Sequence, residues 1–194
     1  MFTGIIEATG VVQKIAANGS NKTFWIKSPI SSELKKDQSV SHDGICLTVE
    51  AVDSDIHQVT AVQETLHKTT IERWGTGHIV NIERCMQMSS RFDGHIVQGH
   101  VDTVAKCLDK VELDGSWKLS FEVSPAFAKL IIEKGSICIN GISLTLFDLR
   151  SNVFSVAIIP YTYYNTNISM TKPGSWVNLE FDVIGKYVNR ILNS

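Results

Sequence analysis

Two stretches decide the fold: residues 39–49, SVSHDGICLTV, and residues 136–146, SICINGISLTL. Ser, Gly, Ile, Leu and Thr coincide when they are laid together, at an offset of 136 − 39 = 97. The same offset places Gln63-Glu64-Thr65 and Thr69 on Pro160-Tyr161-Thr162 and Thr166. It also places Val80-Asn81-Ile82-Glu83 on Val177-Asn178-Leu179-Glu180. Upstream, Ser28-Pro29 meets Ser124-Pro125 at an offset of 96, and Gly4 meets Gly99 at 95. Small indels account for the drift. One offset held across several blocks reads as an internal duplication.

Each half is strand-like. VSHDGICLTVEAV, HQVTAV and GHIVNIE are short and rich in β-branched residues, and SICINGISLTLFDL, VFSVAII and SWVNLEF repeat the pattern. Turn residues separate them, and Asn140-Gly141 is a hairpin signal. Several short strands in under a hundred residues predict a small closed barrel, which removes exposed edges. The fold class expected is therefore all-β: two homologous six-stranded Greek-key barrels over residues 1–94 and 95–183. One helix per half is expected after the Ser-Pro pairs, most clearly AFAKLIIEK after Ser124-Pro125 and before Gly135. A last helix over 184–194 breaks the repeat. Its Val183, Ile184, Tyr187, Val188, Ile191 and Leu192 recur at helical spacing and form an apolar stripe.

Charge and composition bound the function. A net charge of −2 gives no reason to expect a nucleic-acid partner. No apolar run nears the roughly 20 residues needed to cross a bilayer, and MFTGIIEATG does not read as a secretion signal. A cytoplasmic location with no membrane partner is expected. Cys46, Cys85, Cys107 and Cys138 have no zinc-like spacing and read as free thiols. His95 and His100 lie five apart. On an alternating strand they would face opposite ways, so a shared metal is not expected.

MFTGII, GICLTV, the ETLxxTT stretch at 64–70, GHIVQGHVD at 94–102 and NGISLTL at 140–146 together make the chain resemble the riboflavin synthase family of lumazine-binding double barrels. The resemblance covers essentially the whole chain. It implies that two molecules of 6,7-dimethyl-8-ribityllumazine become one riboflavin and one pyrimidinedione, with no cofactor and no metal. It further implies a homotrimer built on the C-terminal helix, sites between subunits, and an association with lumazine synthase as an open partner. Carried over residue by residue, the first barrel's binding positions are Gly4, Ile5, Ile6, Cys46, Leu47, Thr48, Thr60, Ala61, Val62, Gln63, Glu64 and Thr65. The second barrel's are Gly99, His100, Val101, Lys134, Ser143, Leu144, Thr145, Ala157, Ile158, Ile159, Pro160, Tyr161 and Thr162.

The catalytic roles the resemblance implies fall on His100, Cys46, Ser143 and Asp182. By residue type alone, Cys46 would be a small buried hydrophobe, His100 a structural hydrogen-bonder, Ser143 a strand residue, and Asp182 a solvated charge or a helix cap. An imidazole titrating near neutrality suits proton shuttling, which favours His100. Tyr161 stands where the family often has Glu or His, and Asp93 where it usually has a second Gly. Two rival functions keep the fold. One is a non-catalytic lumazine-binding antenna protein; the retention of Cys46, His100, Ser143 and Thr145 speaks for the enzyme. The other is a flavin-binding reductase barrel, which would need a dinucleotide-binding partner domain that is not apparent here.

Overall fold

A computed structural model of the chain describes every residue except Met88, Ser90 and Ser194. The first half forms β1 (Ala8–Asn18), β2 (Asn21–Lys27), β3 (Ser39–His42), β4 (Ile45–Asp53), β5 (Ile56–Ala61) and β6 (Ile79–Arg84). They close into an antiparallel barrel in the order β1-β2-β5-β4-β3-β6. The second half forms β7 (Thr103–Leu113), β8 (Ser116–Glu122), β9 (Ser136–Ile139), β10 (Ile142–Arg150), β11 (Val153–Ile158) and β12 (Trp176–Phe181). Its closed order, β10-β11-β8-β7-β12-β9, is the same cycle with each strand replaced by its repeat mate. The duplication and the two six-stranded barrels expected from sequence are therefore present. Each barrel fills with inward-facing apolar side chains: Val12, Phe24, Ile26, Val49 and Val59 in one, and Phe121, Phe154, Ile137, Val156 and Leu179 in the other.

The helices depart from expectation. Residues after Ser124 form only a 3₁₀ turn, Pro125–Leu130, and those after Ser28 a shorter one, Ser31–Glu33. A short connection between strands leaves no room for a helix long enough to stand by itself. The chain instead turns to seat Ile131 in the core and to stack Phe127 on Phe181, at 5.4 Å between ring centres. The α-helices of the two halves lie elsewhere, directly after β5 and β11: α1 (Gln63–Lys68) and α2 (Pro160–Asn165). The sequence pattern assigns these residues to no element; HQVTAV and VFSVAII end just before them, at Val62 and Ile159. Each is followed by a 3₁₀ turn whose first N–H groups are capped by a threonine hydroxyl, Thr69 or Thr166. The last helix, α3 (Val183–Leu192), stands as expected, with Asp182 accepting from the Ile184 N–H at 2.9 Å. Ile184, Tyr187, Val188, Ile191 and Leu192 of its stripe are exposed.

The barrels meet through their matched hairpin turns, Asp43-Gly44 and Asn140-Gly141. A Cβ on either glycine would lie 2.9 Å from the backbone nitrogen of the other, so both positions need glycine. Two buried asparagines lock the contact. Asn81 donates its side-chain N–H to the Asn140 carbonyl, and Asn178 donates to the Asp43 carbonyl, each at 2.9 Å. In return the backbone N–H of Asn81 reaches Asp43 Oδ1, and that of Asn178 reaches Asn140 Oδ1, each at 2.8 Å.

One feature of the first core has no mate. Ser31 Oγ lies 2.7 Å from His57 Nδ1, and His57 Nε2 lies 2.8 Å from His42 Nε2, all three residues being fully buried. The equivalents of His42 and His57 in the second barrel are Ile139 and Phe154. Burial lowers the His57 pKa to about 4, and pushes His42 well below its ordinary value with the neighbouring imidazole adding to the effect. The unfolded chain, with histidines near 6.5, therefore binds more protons across this window. Stability is complete above about pH 6.5 and is lost as pH falls towards 4, by on the order of 3 kcal/mol for His57 alone. Replacing the pair by its repeat mates, His42→Ile with His57→Phe, is expected to remove that part of the acid sensitivity. Urea midpoints at pH 7 and pH 4.5 measure it. Equal pH dependence in the variant and the parent would disprove the assignment.

Candidate active site

Two segments outside the strands build the sites. Residues 1–7 precede β1, and residues 85–102 join the halves. They meet at an antiparallel bridge in which Phe2 N–H donates to Val97 O at 2.7 Å and Val97 N–H to Phe2 O at 3.1 Å. From there each segment crosses to the other barrel. The Gly4 carbonyl accepts from Ser143 N–H, and the Gly99 carbonyl from Cys46 N–H, both at 2.8 Å. A Cβ on Gly4 would stand 2.6 Å from Ser143 Cβ, and one on Gly99 equally close to Cys46 Cβ. Both glycines hold φ of +78°.

Each crossing is held by a buried carboxylate. Glu83 accepts from Thr3 N–H (2.6 Å), Thr3 hydroxyl (2.8 Å) and Gly4 N–H (3.0 Å). Glu180 accepts from Gln98 N–H (2.6 Å) and from the Gly99 and His100 N–H groups (2.9 Å each). Burial raises both carboxyls, and these hydrogen bonds work against the rise. The grouping expected from resemblance is thereby exchanged. Gly4, Ile5 and Ile6 belong with Ser143, while Gly99, His100 and Val101 belong with Cys46. The sequence repeat could not show this, because matched segments that trade places leave the offset unchanged.

The Cys46 side has a pocket of about 440 Å³ lined by Cys46, Glu64, Thr65, Lys68, Thr69, Gly99, His100, Val101 and Asp102. Of these, Lys68, Thr69 and Asp102 were not foreseen, although Glu64 and Lys68 at i and i+4 on a helix carry a recognisable ion-pair signal; they lie 2.9 Å apart. Burial raises the Cys46 thiol, so it is protonated near neutrality. The His100 ring is exposed at the rim, and among the described residues its backbone alone has hydrogen-bond partners.

The Ser143 side differs. His95 Nδ1 lies 2.7 Å from Ser143 Oγ, and burial lowers the histidine while the charge of Asp182 opposes the shift. The imidazole is thus neutral at pH 7 and placed to exchange a proton with the hydroxyl. Sequence reasoning preferred His100. That preference came from the resemblance and from the suitability of imidazole for proton transfer; the segment is irregular apart from the Phe2–Val97 bridge, and it turns His95 inward. A pocket of about 470 Å³ includes Ile6, Tyr161, Asn165 and Thr166, the mates of Val101, Glu64, Lys68 and Thr69; Ser143 and His95 are outside its lining. Tyr161 and Tyr164 line it where the first site carries Glu64 and His67. Among the other carried-over positions, Leu47, Ala61 and Ile158 point into the cores, so only their backbones can meet a ligand. Thr48, Val62, Gln63, Thr145, Ala157, Ile159 and Pro160 are exposed, and Ile5 with them. Thr60 shares a hydrogen bond with Thr23 at 2.9 Å. Lys134 stands apart, its ammonium 5.7 Å from the Phe147 ring centre. Leu144 packs against the second core and Thr162 is half-buried.

Comparison with known proteins agrees with the geometry. The lumazine binding domain model matches residues 3–85 and again 98–182. The chain is 37% identical to the riboflavin synthase of Actinobacillus pleuropneumoniae over 193 residues, covering 99% of this chain and 90% of that one. It is 37% identical to that of Bacillus subtilis (strain 168), covering 100% and 90%, and 34% identical to that of Schizosaccharomyces pombe, covering 100% and 95%. Structures of LumP with 6,7-dimethyl-8-(1'-D-ribityl) lumazine and with riboflavin superpose with TM-scores of 0.85 and 0.87, over 93% of this chain and 99% of LumP. At 23% identity they show the shared fold.

The close approach at the crossings gives a direct test. Gly4→Ala and Gly99→Ala are each expected to distort the neighbouring pocket and to destabilise the chain by roughly 1–3 kcal/mol, from backbone strain and the steric overlap together. Gly115 has φ of +84° but nothing within 4 Å of its would-be Cβ, so Gly115→Ala reports strain alone. Thermal melts and ligand titrations of the three variants separate the effects. If Gly99→Ala behaved like Gly115→Ala in both assays, the crossing would not be a tight contact.

Proposed function

The chain belongs to the riboflavin synthase family, and on that premise we propose that it dismutates 6,7-dimethyl-8-ribityllumazine. It is an enzyme of the transferase type. In the proposed reaction one lumazine gives up its C6 and C7 carbons with their two methyls, and leaves as the pyrimidinedione. The other accepts this four-carbon unit and becomes riboflavin. The carrying observation is the pair of pockets related by the repeat, each completed by a segment of the other half. Two like sites suit a reaction between two identical molecules. Holding both rings in near-attack geometry contributes on the order of 7–11 kcal/mol. The C7 methyl of the lumazine is acidic because the ring delocalises the resulting carbanion, so turnover is expected without an added cofactor.

The sites supply proton transfer. Neutral His95, backed by the Asp182 charge and bonded to Ser143, is the base and relay of one site. Cys46, a protonated thiol under Gly99, is the donor group of the other. His100 at its rim is available to the bound ring. Mixing the protein with the lumazine and following riboflavin absorbance, with and without prior chelator dialysis, tests the activity. His95→Gln and Ser143→Ala are each expected to lower kcat at least tenfold, about 1.4 kcal/mol in barrier, with the double variant little worse than either single one. Retention of kcat within threefold by both singles would sink this assignment. Lumazine binding with no turnover would favour the antenna reading, towards which the LumP likeness points.

We further propose a cytoplasmic homotrimer whose sites form between the Cys46 pocket of one subunit and the Ser143 side of its neighbour. The apolar stripe of α3, from Ile184 to Leu192, supports this, because a soluble protein seldom leaves so large a patch uncovered. An association with lumazine synthase is compatible with the same activity. Deleting residues 184–194 is expected to dissociate the assembly in sedimentation experiments and to abolish turnover, while both barrels keep their far-UV spectrum. A truncated protein that stayed trimeric and active would contradict the proposal.

A further inference from the structure

We propose that Lys186 of α3 is a positioning residue that ties the C-terminal helix to the wall of the Cys46 pocket. This rests on the reading of that pocket as a substrate site. Asp102 is the hinge of the connection. It directly follows Gly99, His100 and Val101 and lines the pocket with them. Its own N–H donates to Leu179 O at 2.9 Å, and its Oδ2 accepts from Phe181 N–H at 2.9 Å. Lys186 Nζ then donates to both of its carboxylate oxygens, at 3.1 and 3.0 Å. The two side chains are only 23% and 22% exposed, so the pair is shielded well beyond an ordinary surface ion pair.

The repeat shows what is unusual here. The mate of Asp102 is Glu7, which accepts from the backbone N–H of Arg84 at 2.8 Å and from its Nε at 2.7 Å. In the first half the cation therefore comes from the barrel's own strand β6. In the second half the mate of Arg84 is Phe181, which keeps the backbone bond and has no charge. The missing cation is supplied from outside the barrel, by a helix that the first half does not possess. With α3 seated, the Asp102 carboxylate is paired with Lys186 and Gly99 lies over Cys46. With α3 displaced, a largely buried carboxylate loses its counter-charge and is driven toward water, taking the neighbouring backbone with it. The Glu180 anchor of Gly99 and His100 feels the same ammonium. Placement of the helix is thus transmitted to the wall of the Cys46 pocket through Asp102, whereas the mate Glu7 is held by Arg84 of its own barrel.

The test uses the full-length protein and the reactivity of Cys46, whose Cβ lies directly beneath Gly99. Lys186→Met, Asp102→Asn, the double variant and Lys186→Arg are treated with iodoacetamide at mildly alkaline pH, and alkylation of the Cys46 peptide is followed by mass spectrometry. Lys186→Met and Asp102→Asn are each expected to speed alkylation about tenfold, and the double variant to be no faster than the faster single one, because the two residues act as one unit. Lys186→Arg is expected to stay near the parent rate. Unchanged rates in both single variants, or effects that multiply in the double, would overturn the proposal. Asp102→Asn breaks the same tie without altering the sequence of α3, so it keeps the test meaningful if Lys186→Met lowers the helix's own stability. The alkylation readout needs no lumazine. A protein that neither binds nor converts lumazine would refute the functional reading while leaving this result standing. With the functional reading intact, a lumazine titration should show weakening of one site of the two.

Discussion

The contact between the two matched hairpin turns governs what is built around it. Two hairpin turns approach so nearly that Gly44 and Gly141 admit no side chain, and Asn81 and Asn178 bond across the gap in a matched pair. Backbone groups buried this way need partners. The asparagines supply them in one register and no other, since a slip would strand several donors at once. That register aligns Phe2 with Val97. The Phe2–Val97 bridge in turn sends Gly4 to Ser143 and Gly99 to Cys46. The pockets are therefore consequences of the barrel-to-barrel contact, and neither barrel makes its pocket from its own half alone.

Within this shared frame the halves have diverged by charge and polarity. Cys46 corresponds to Ser143 in the repeat, and the Glu64–Lys68 ion pair to Tyr161 and Asn165. Glu7 is held by a strand arginine, Asp102 by a helix lysine. The buried His42–His57 pair is answered by Ile139 and Phe154. These differences leave the strands and their order unchanged and alter what each pocket offers a ligand. A proton-exchanging imidazole and hydroxyl lie on one side, and a protonated thiol beside charged groups on the other. Two identical substrate molecules given unlike surroundings can take unlike roles, which the proposed dismutation requires.

The barrels, the duplication and the last helix were legible in the sequence because hydrophobic patterning and the offset of 97 depend on local chemistry that both halves conserve. The stretch after Ser124-Pro125 misled, since its cap, proline and glycine are equally good marks of a 3₁₀ turn; the core's demand for Ile131 decided the outcome. Helices α1 and α2 were missed because six residues are too few for a helical period to stand out. The site was legible as a set of positions and illegible in its grouping. Gly4 and Gly99 are repeat mates, so a sequence cannot say which barrel each one serves. His100 was favoured because the resemblance implies a role for it, while the partner of His95, Ser143, lies 48 residues away in the chain, and Asp102 drew no notice because its partner Lys186 lies 84 residues away.

The exchange of segments between barrels is the claim on which the rest turns. A crystal structure of the protein with 6,7-dimethyl-8-ribityllumazine bound at both sites tests it most directly. The account predicts that one ring contacts Cys46 together with Gly99, His100 and Val101, and the other contacts Ser143 together with Gly4, Ile5 and Ile6. A ring held by Cys46 and Gly4 together, with its mate held by Ser143 and Gly99, would contradict it.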